Sequence, residues 1–193
     1  MRRLVGCLIY VASSTRPDIA SCVSALASYV NDPSEAHLKL GKRVLRYLAG
    51  TKSTGLHFQA RGDLNLEAWC DADLGGSDTR KSTTGYVIQY AGGPVLWKSS
   101  KQKATVTSTT EAEYIALSMC ARDVMYLRNL LSEMGFEQAQ PTAVRGDNQA
   151  AGRIAKGAGS GTKLRHLDLH YHHVKDRVTE GRIKMEFVPG VEN

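Results

Sequence analysis

The chain has 193 residues, of which 42% are hydrophobic, and a formal net charge of +6 at pH 7. This length allows one domain or two small ones with a buried core. The longest apolar run, residues 4–12, is far shorter than the roughly 20 residues of a membrane-spanning helix. No small-residue cleavage site follows it, as a signal peptide would require. The four cysteines lack C-x-x-C spacing, which argues against a zinc site or disulfide framework and favours a reducing intracellular setting.

The positive charge is concentrated at the front of the chain. Residues 1–60 carry eight Lys/Arg against three Asp/Glu, whereas residues 61–193 carry seventeen against sixteen. A basic front and a carboxylate-rich back are typical of a polyanion-binding segment joined to a unit that holds metal.

The front of the chain is predicted to form two helices. Asp18 fits the N-cap of the first, whose apolar residues keep helical spacing up to residue 30. Ser34 caps the second, and Gly50 ends it. The apolar stripe of this second helix is Leu38, Val44, Leu45 and Leu48. Four of its basic residues lie within about 100° of arc, namely Lys39, Lys42, Arg43 and Arg46. They form either a solvated face or a row of phosphate contacts, whose affinity would fall with salt.

From about residue 61 the pattern predicts an α/β fold. Residues 64–73 alternate as a strand does, and "TGYVIQY" and "PVLWKSS" are two further strands joined by "AGG", a hairpin signal. A long amphipathic helix then ends at Gly135. A short strand "TAVRGD", a helix start "NQAAGRIAK" and a last strand "RIKMEFVPG" follow. The order β-β-β-α-β-α-β predicts a mixed sheet with helices packed on it.

Three carboxylates occupy positions that solubility alone does not explain. Asp71 comes at the end of the first strand, and Asp147 ends the strand "TAVRGD". On the long helix, the apolar residues lie within about 40° of Glu113, which is therefore predicted to face the sheet. Glu111 lies about 160° away and is predicted to face water. The aligned apolar residues are Leu117, Cys120, Val124 and Leu131.

Structural alternatives exist for the two glutamates and for Asp147. Both glutamates match the capping box, after Ser108 and Thr110 respectively, and Asp147 also fits an N-cap. Together, two strand-end aspartates and one inward glutamate are what a two-metal hydrolytic site requires. Hard oxygen ligands suit Mg²⁺, and two ions about 3.5–4 Å apart stabilise the attacking and leaving oxygens of a displacement at phosphorus.

A series of motifs carries a family resemblance over essentially the whole chain. In order, "WCDADLGG", "RKSTTGYV", "WKSSKQ", "TSTTEAEYIAL", "DNQAA" and "RHLDLHYHHV" resemble the ribonuclease H domain of Ty1/copia-type retrotransposon polyproteins. Residues 4–30 and 37–56 resemble the segment that joins reverse transcriptase to that domain. The resemblance implies a helical connection segment at 1–60 and a ribonuclease H-like domain at 61–193, with a mixed five-stranded sheet and flanking helices.

The resemblance also implies a function. It predicts an endoribonuclease that uses two Mg²⁺ ions, with Mn²⁺ as a substitute, to hydrolyse the RNA strand of RNA–DNA hybrids during reverse transcription. Matched by motif, "CDA", "AEYIAL" and "DNQ" assign the catalytic and metal-binding roles to Asp71, Glu113 and Asp147. The expected partners are the hybrid and the reverse-transcriptase domain of the same polyprotein, with no membrane. The expected location is cytoplasmic virus-like particles, with the nucleus as an additional one.

The family has a fourth acidic residue, in an "N-x-A-D" element that opens its final helix. Here the chain stops at "VPGVEN", so this ligand and the C-terminal helix are expected to be missing, with Asp168 and Glu192 as candidate substitutes. The second hypothesis is therefore a catalytically impaired hybrid-binding or structural module of a reverse transcriptase. An integrase or junction resolvase would share the fold and carboxylates, but the "AEYIAL" and "DNQ" contexts disfavour it.

Further residues are candidates for nucleic-acid contacts. The cluster His166, His170, His172 and His173 has no accompanying cysteine or H-E-x-x-H motif, which argues against zinc. Within it, His166 and His172 are predicted to contact the hybrid backbone. Lys98, Lys101 and Lys103 are predicted to do the same, or else to guard an exposed strand edge.

Overall fold

The structure is a computed structural model that describes residues 1–59, 64–75, 81–103, 106, 108–147 and 168–189. The front contains helices α1 (Arg2–Ser14), α2 (Ala20–Ser28) and α3 (Glu35–Gly50), with a 3₁₀ turn at Pro17–Ile19. The remaining elements are β1 (Glu67–Asp73), β2 (Thr83–Tyr90), β3 (Gly93–Lys101), α4 (Thr109–Glu133), β4 (Thr142–Gly146), α5 (Asp168–Thr179) and β5 (Ile183–Phe187).

The five strands form one mixed sheet, as the sequence predicts. Their order is β3-β2-β1-β4-β5. β2 is antiparallel to both β1 and β3, whereas β1, β4 and β5 run parallel. The helix predicted from "NQAAGRIAK" lies outside the described residues. Helix α5 is not predicted from the sequence, because its polar, histidine-rich residues leave few apolar positions and therefore a weak helical period.

The β2–β3 hairpin is confirmed and closes with a two-residue turn. Ala91 and Gly92 have φ angles of 53° and 74°, as a type I′ turn requires at both central positions. The backbone N–H of Gln59 donates to the Ala91 carbonyl at 2.8 Å. At Gly93, an added Cβ would lie 2.3 Å from the carbonyl oxygen of His57. Glycine at position 93 therefore allows the segment that contains His57 and Gln59 to pass directly over the hairpin turn.

The main core lies between the sheet and α4. Every second residue from just before β1 into the strand is buried, namely Leu66, Ala68 and Cys70. The inward residues of β2 are buried with them. The predicted apolar stripe of α4 is confirmed, because Leu117, Cys120, Val124 and Leu131 all belong to this core. The helix ends as predicted, with Gly135 at φ 87° just beyond it.

Two predictions for the front helices need correction. Asp18 is not an N-cap, because its carboxylate instead pairs with the buried guanidinium of Arg16 at 2.7 Å and accepts a hydrogen bond from the Tyr47 hydroxyl. A buried cation needs a charged partner more than a helix end needs a cap. In the predicted stripe of α3, Leu38 and Leu45 are exposed and Val44 is buried. The other helices cover only a narrow face of α3.

The start and end of α3 agree with the prediction. Ser34 caps the helix in a reciprocal capping box with His37, and Gly50 is the last helical residue. Arg16 also donates to the carbonyl and hydroxyl oxygens of Thr51, at 3.1 and 2.7 Å. The end of α1 is thereby tied to the end of α3.

The front helices have a second apolar core and contact the sheet at β3. Their buried residues are Val5, Leu8, Ala12, Ile19, Val23, Leu26 and Val44. The indole N–H of Trp97 donates to the Ala12 carbonyl at 2.7 Å, beside a groove of about 310 Å³ between α1, α2 and β3.

The predicted domain boundary after residue 60 falls within residues 60–63, which lie outside the described part, and it stays a prediction. No helix in the described ranges is both long and apolar enough to span a membrane.

Trp97→Phe tests the contact between the front helices and the sheet. The substitution keeps an aromatic ring but removes the indole N–H, which leaves the Ala12 carbonyl without this donor. We expect the free energy of unfolding in urea to fall by about 0.5–1.5 kcal/mol. Tyr126→Phe, at an exposed position of α4, is the control and should leave it unchanged. An unaltered Trp97→Phe protein would show that this bond contributes no stability.

Candidate metal centre

Two of the predicted acids lie near the carboxyl ends of two neighbouring strands of the sheet. Asp71 is in β1 and Asp147 directly follows β4, and both are exposed. β1 and β4 are parallel neighbours with Trp69 opposite Arg145. Continuing this register by two residues places Asp147 level with Asp71. The sheet itself therefore brings the two aspartates together.

Glu113 supplies the third carboxylate from the first turns of α4. It is 8% exposed, and its Oε1 accepts a hydrogen bond from the backbone N–H of Ala72 at 3.2 Å. One ligand oxygen from each of Asp71, Glu113 and Asp147 lies within 4.8 Å of the others. The role of Ala72 is not predictable from the sequence, because a backbone amide carries no signal in the side-chain pattern.

The electrostatics of the cluster favour a bound cation. Burial is the largest cause that raises the pKa of Glu113, and together with the negative charges of Asp71 and Asp147 it brings this pKa to about 8, against the opposing hydrogen bond from Ala72. Three carboxylates at this separation repel one another when all are ionised. An all-oxygen donor set of this kind fits Mg²⁺ or a similar hard divalent ion.

The prediction for Glu111 is wrong in one respect. Its backbone N–H donates to the Ser108 hydroxyl at 3.2 Å, so Ser108 is the N-cap. The Glu111 residue is only 7% exposed, however, and does not face water. Ile115, one turn further along the same face, is buried in a cluster with Val106. The start of α4 is therefore also covered on the face that carries Glu111, which helical angles alone cannot reveal.

The predicted nucleic-acid contacts lie on several elements. Lys98 and Lys103 are exposed and Lys101 is half-buried, on or just after the edge strand β3. The four basic residues of α3 are all exposed, and Lys39 pairs with Glu35 at 3.0 Å. His172 is exposed on α5, at whose start Asp168 lies. His166 and Glu192 lie outside the described residues, and the roles of all these residues stay predictions.

Solved structures identify the fold class. LC11-RNase H1 from compost aligns with 67% of this chain and 88% of its own, with a TM-score of 0.50 and 21% identity. The foamy viral protease-reverse transcriptase in complex with RNA/DNA hybrid covers 100% of this chain with 25% of its own, at a TM-score of 0.55 and 13% identity. Together with the five-stranded sheet, these likenesses define a ribonuclease H fold.

Sequence relatives identify the family. The retrovirus-related Pol polyprotein from transposon RE1 of Arabidopsis thaliana is 35% identical over 188 residues, which are 97% of this chain and 13% of the polyprotein. That from transposon TNT 1-94 of Nicotiana tabacum is 36% identical over 190 residues, or 98% and 14%. The secreted RxLR effector protein 161 of Plasmopara viticola is 41% identical over 124 residues, 64% of this chain and 87% of its own length.

The chain belongs to the retrovirus-related Pol polyproteins of copia-type transposons. It spans about 13–14% of the length of the two polyproteins above. No protein-family profile matches it.

The raised pKa of Glu113 predicts how pH affects stability without divalent cations. The folded protein binds this proton more tightly, with a pKa of about 8 against an ordinary 4.5. The free energy of unfolding in EDTA should therefore fall as pH rises from about 4.5 to about 8. Glu113→Gln should flatten this dependence. Urea titrations at pH 5, 6.5 and 8 measure it, and identical slopes in both proteins would refute it.

Proposed function

We propose that the chain is a Mg²⁺-dependent ribonuclease H that hydrolyses the RNA strand of RNA–DNA hybrids during retrotransposon reverse transcription. The observation that carries this proposal is the group Asp71, Glu113 and Asp147, whose ligand oxygens lie within 4.8 Å of one another on a ribonuclease H fold. The match to transposon Pol polyproteins supports it, as does the hybrid in the foamy viral neighbour.

In this proposal, Asp71, Glu113 and Asp147 hold two divalent ions, Mg²⁺ or Mn²⁺. The ions, when bound, stabilise charge on the attacking and leaving oxygens of the displacement at phosphorus. The N–H of Ala72 orients the Glu113 carboxylate. The exposure of the two aspartates leaves the site open to a backbone phosphate.

Recognition of the hybrid is proposed to be independent of base sequence. The 2′-hydroxyl groups and the groove shape distinguish the RNA strand. Positive side chains hold the backbone, and the candidates are Lys98, Lys101, Lys103, His166, His172, Lys39, Lys42, Arg43 and Arg46. The reverse-transcriptase domain of the same polyprotein is the proposed protein partner, in cytoplasmic virus-like particles.

Two glutamates of α4 provide a matched test of the catalytic proposal. Glu113→Gln replaces an ionisable carboxyl group of the cluster by an amide, whereas Glu111→Gln makes the same replacement at an equally buried position outside it. Glu113→Gln, like Asp147→Asn, should reduce hybrid cleavage in Mg²⁺ at least 100-fold and leave hybrid affinity within about threefold. Glu111→Gln should retain most activity. Cleavage by a labelled-hybrid assay and affinity by fluorescence anisotropy are the measurements.

The outcomes separate the two functional hypotheses. Near-wild-type cleavage by Glu113→Gln would overturn the assignment of this residue. A wild-type chain that binds hybrid but does not cleave it in Mg²⁺ or Mn²⁺ would favour the alternative, a catalytically impaired hybrid-binding or structural module of a reverse transcriptase.

The basic face of α3 can be tested by salt dependence. The double variant Lys42→Gln and Arg43→Gln should weaken hybrid binding and reduce the slope of log affinity against log salt by about 0.7–0.9 per lost phosphate contact. Arg182→Gln with Lys184→Gln makes the same charge change at and beside β5, at the opposite sheet edge. Equal slopes for both double variants would show that α3 has no special role.

A further inference from the structure

We propose that Gln102 is a positioning residue that holds Glu113 in place for divalent-cation binding. Gln102 directly follows β3 and is 3% exposed. Its backbone N–H donates to the Ser82 carbonyl at 2.8 Å. Its side-chain Nε2 donates to the Thr84 hydroxyl at 3.0 Å and to the Ala112 carbonyl at 2.9 Å. This single side chain therefore connects the end of β3, strand β2 and the first turn of α4.

The contacts of Gln102 close a ring that contains Glu113. Ala112 immediately precedes Glu113, whose carboxylate accepts from the Ala72 N–H. Ala72 stands opposite Thr84 in the β1–β2 register, and Thr84 accepts from Gln102. The backbone of Glu113 is thus fixed through the Ala112 carbonyl and its carboxylate through Ala72. Both connections lead to the β1–β2 pair: the first reaches Thr84 in β2 through Gln102, and the second reaches Ala72 in β1, the strand that also carries Asp71.

The direction of the Gln102 amide follows from its partners. The Ala112 carbonyl can only accept a hydrogen bond, so the NH₂ group of the amide must face it. The Ala112 carbonyl is also part of the backbone hydrogen-bond ladder of α4, so the Gln102 amide supplies a second, buried hydrogen bond to it, and removing the amide frees the helix from β2 and β3 at this point. We therefore expect the start of α4 to shift or loosen relative to β1 when this amide is removed, and Glu113 to move with it.

A purely structural role is the competing explanation, and Gln138 provides the matched control. Gln138 is also buried, at 8% exposure. Its amide accepts from the Leu66 N–H at 2.8 Å and donates to the Leu64 carbonyl at 3.0 Å. These contacts lie before the start of β1, about 16 Å along an extended strand from Asp71. Both glutamines are buried and join segments that are apart in the chain, but of the two Gln102 alone contacts the backbone beside a carboxylate of the cluster.

The inference rests on the proposed function, so its test uses cleavage and ion binding separately. Gln102→Met should lower kcat for hybrid cleavage and raise the Mg²⁺ concentration for half-maximal activity by about 10–100-fold, as loss of a supporting contact does at metal sites. KM for the hybrid should stay within about twofold. Thr84→Val removes one of the two acceptors and should give a smaller change in the same direction. Gln138→Met should lower the Tm but leave the Mg²⁺ dependence unchanged.

Unaltered kcat and Mg²⁺ dependence in folded Gln102→Met would overturn the inference, as would an equal shift in Gln138→Met. If Gln102→Met does not fold, Thr84→Val decides, and an unaltered Mg²⁺ dependence there would refute the role of Gln102.

Calorimetric titration with Mn²⁺ separates this inference from the proposed function. A wild-type chain that binds Mn²⁺ without cleaving hybrid would contradict the proposed function alone. Roughly tenfold weaker Mn²⁺ binding by Gln102→Met would then still support positioning, and unchanged binding would refute it. A wild-type chain that neither cleaves nor binds Mn²⁺ would overturn both.

Discussion

Mutual repulsion among three carboxylates is the constraint on which the rest of this structure depends. Asp71, Glu113 and Asp147 approach within 4.8 Å, and one of them is buried, so without a cation they would separate if the backbone allowed it. Burial first, and then the charges of Asp71 and Asp147, raise the pKa of Glu113, so part of this raised pKa reflects the repulsion. A site of this kind exists only where rigid elements hold the acids against their repulsion, and sites on strands and helices are held more firmly than sites on loops.

Strand pairing and helix burial together provide that rigidity. The parallel β1–β4 pair sets the two aspartates side by side, and the antiparallel β1–β2 pair fixes Ala72 beneath Glu113. The start of α4 is held by the main core and by a second buried cluster, in which Val106 packs with Ala112 and Ile115. The front helices, which include the basic helix α3, are tied to the outer strand β3 through the hydrogen bond from Trp97 to Ala12.

Much of the fold and site could be predicted because the patterns are local. Alternation predicted the strands, and the 100° helical step selected Glu113, whose aligned residues are all buried. Errors arose where a distant contact decided the outcome. Asp18 accepts from Tyr47 of α3 and pairs with Arg16, which in turn binds Thr51, instead of capping a helix. Glu111 is buried although its helical angle predicts exposure. The polar helix α5 has too weak a period to be predicted.

The sequence by itself determined which residues could hold metal, which strands they end and which family the motifs resemble, because these properties depend on side-chain chemistry and short periods. Only the tertiary structure decided that the three acids meet, that a backbone amide and Gln102 support Glu113, and that Glu111 is buried beside it. These facts depend on contacts between residues far apart in the chain, such as Ala72 with Glu113. Spacing along one element cannot specify such contacts, since they arise only when the sheet and α4 are packed together.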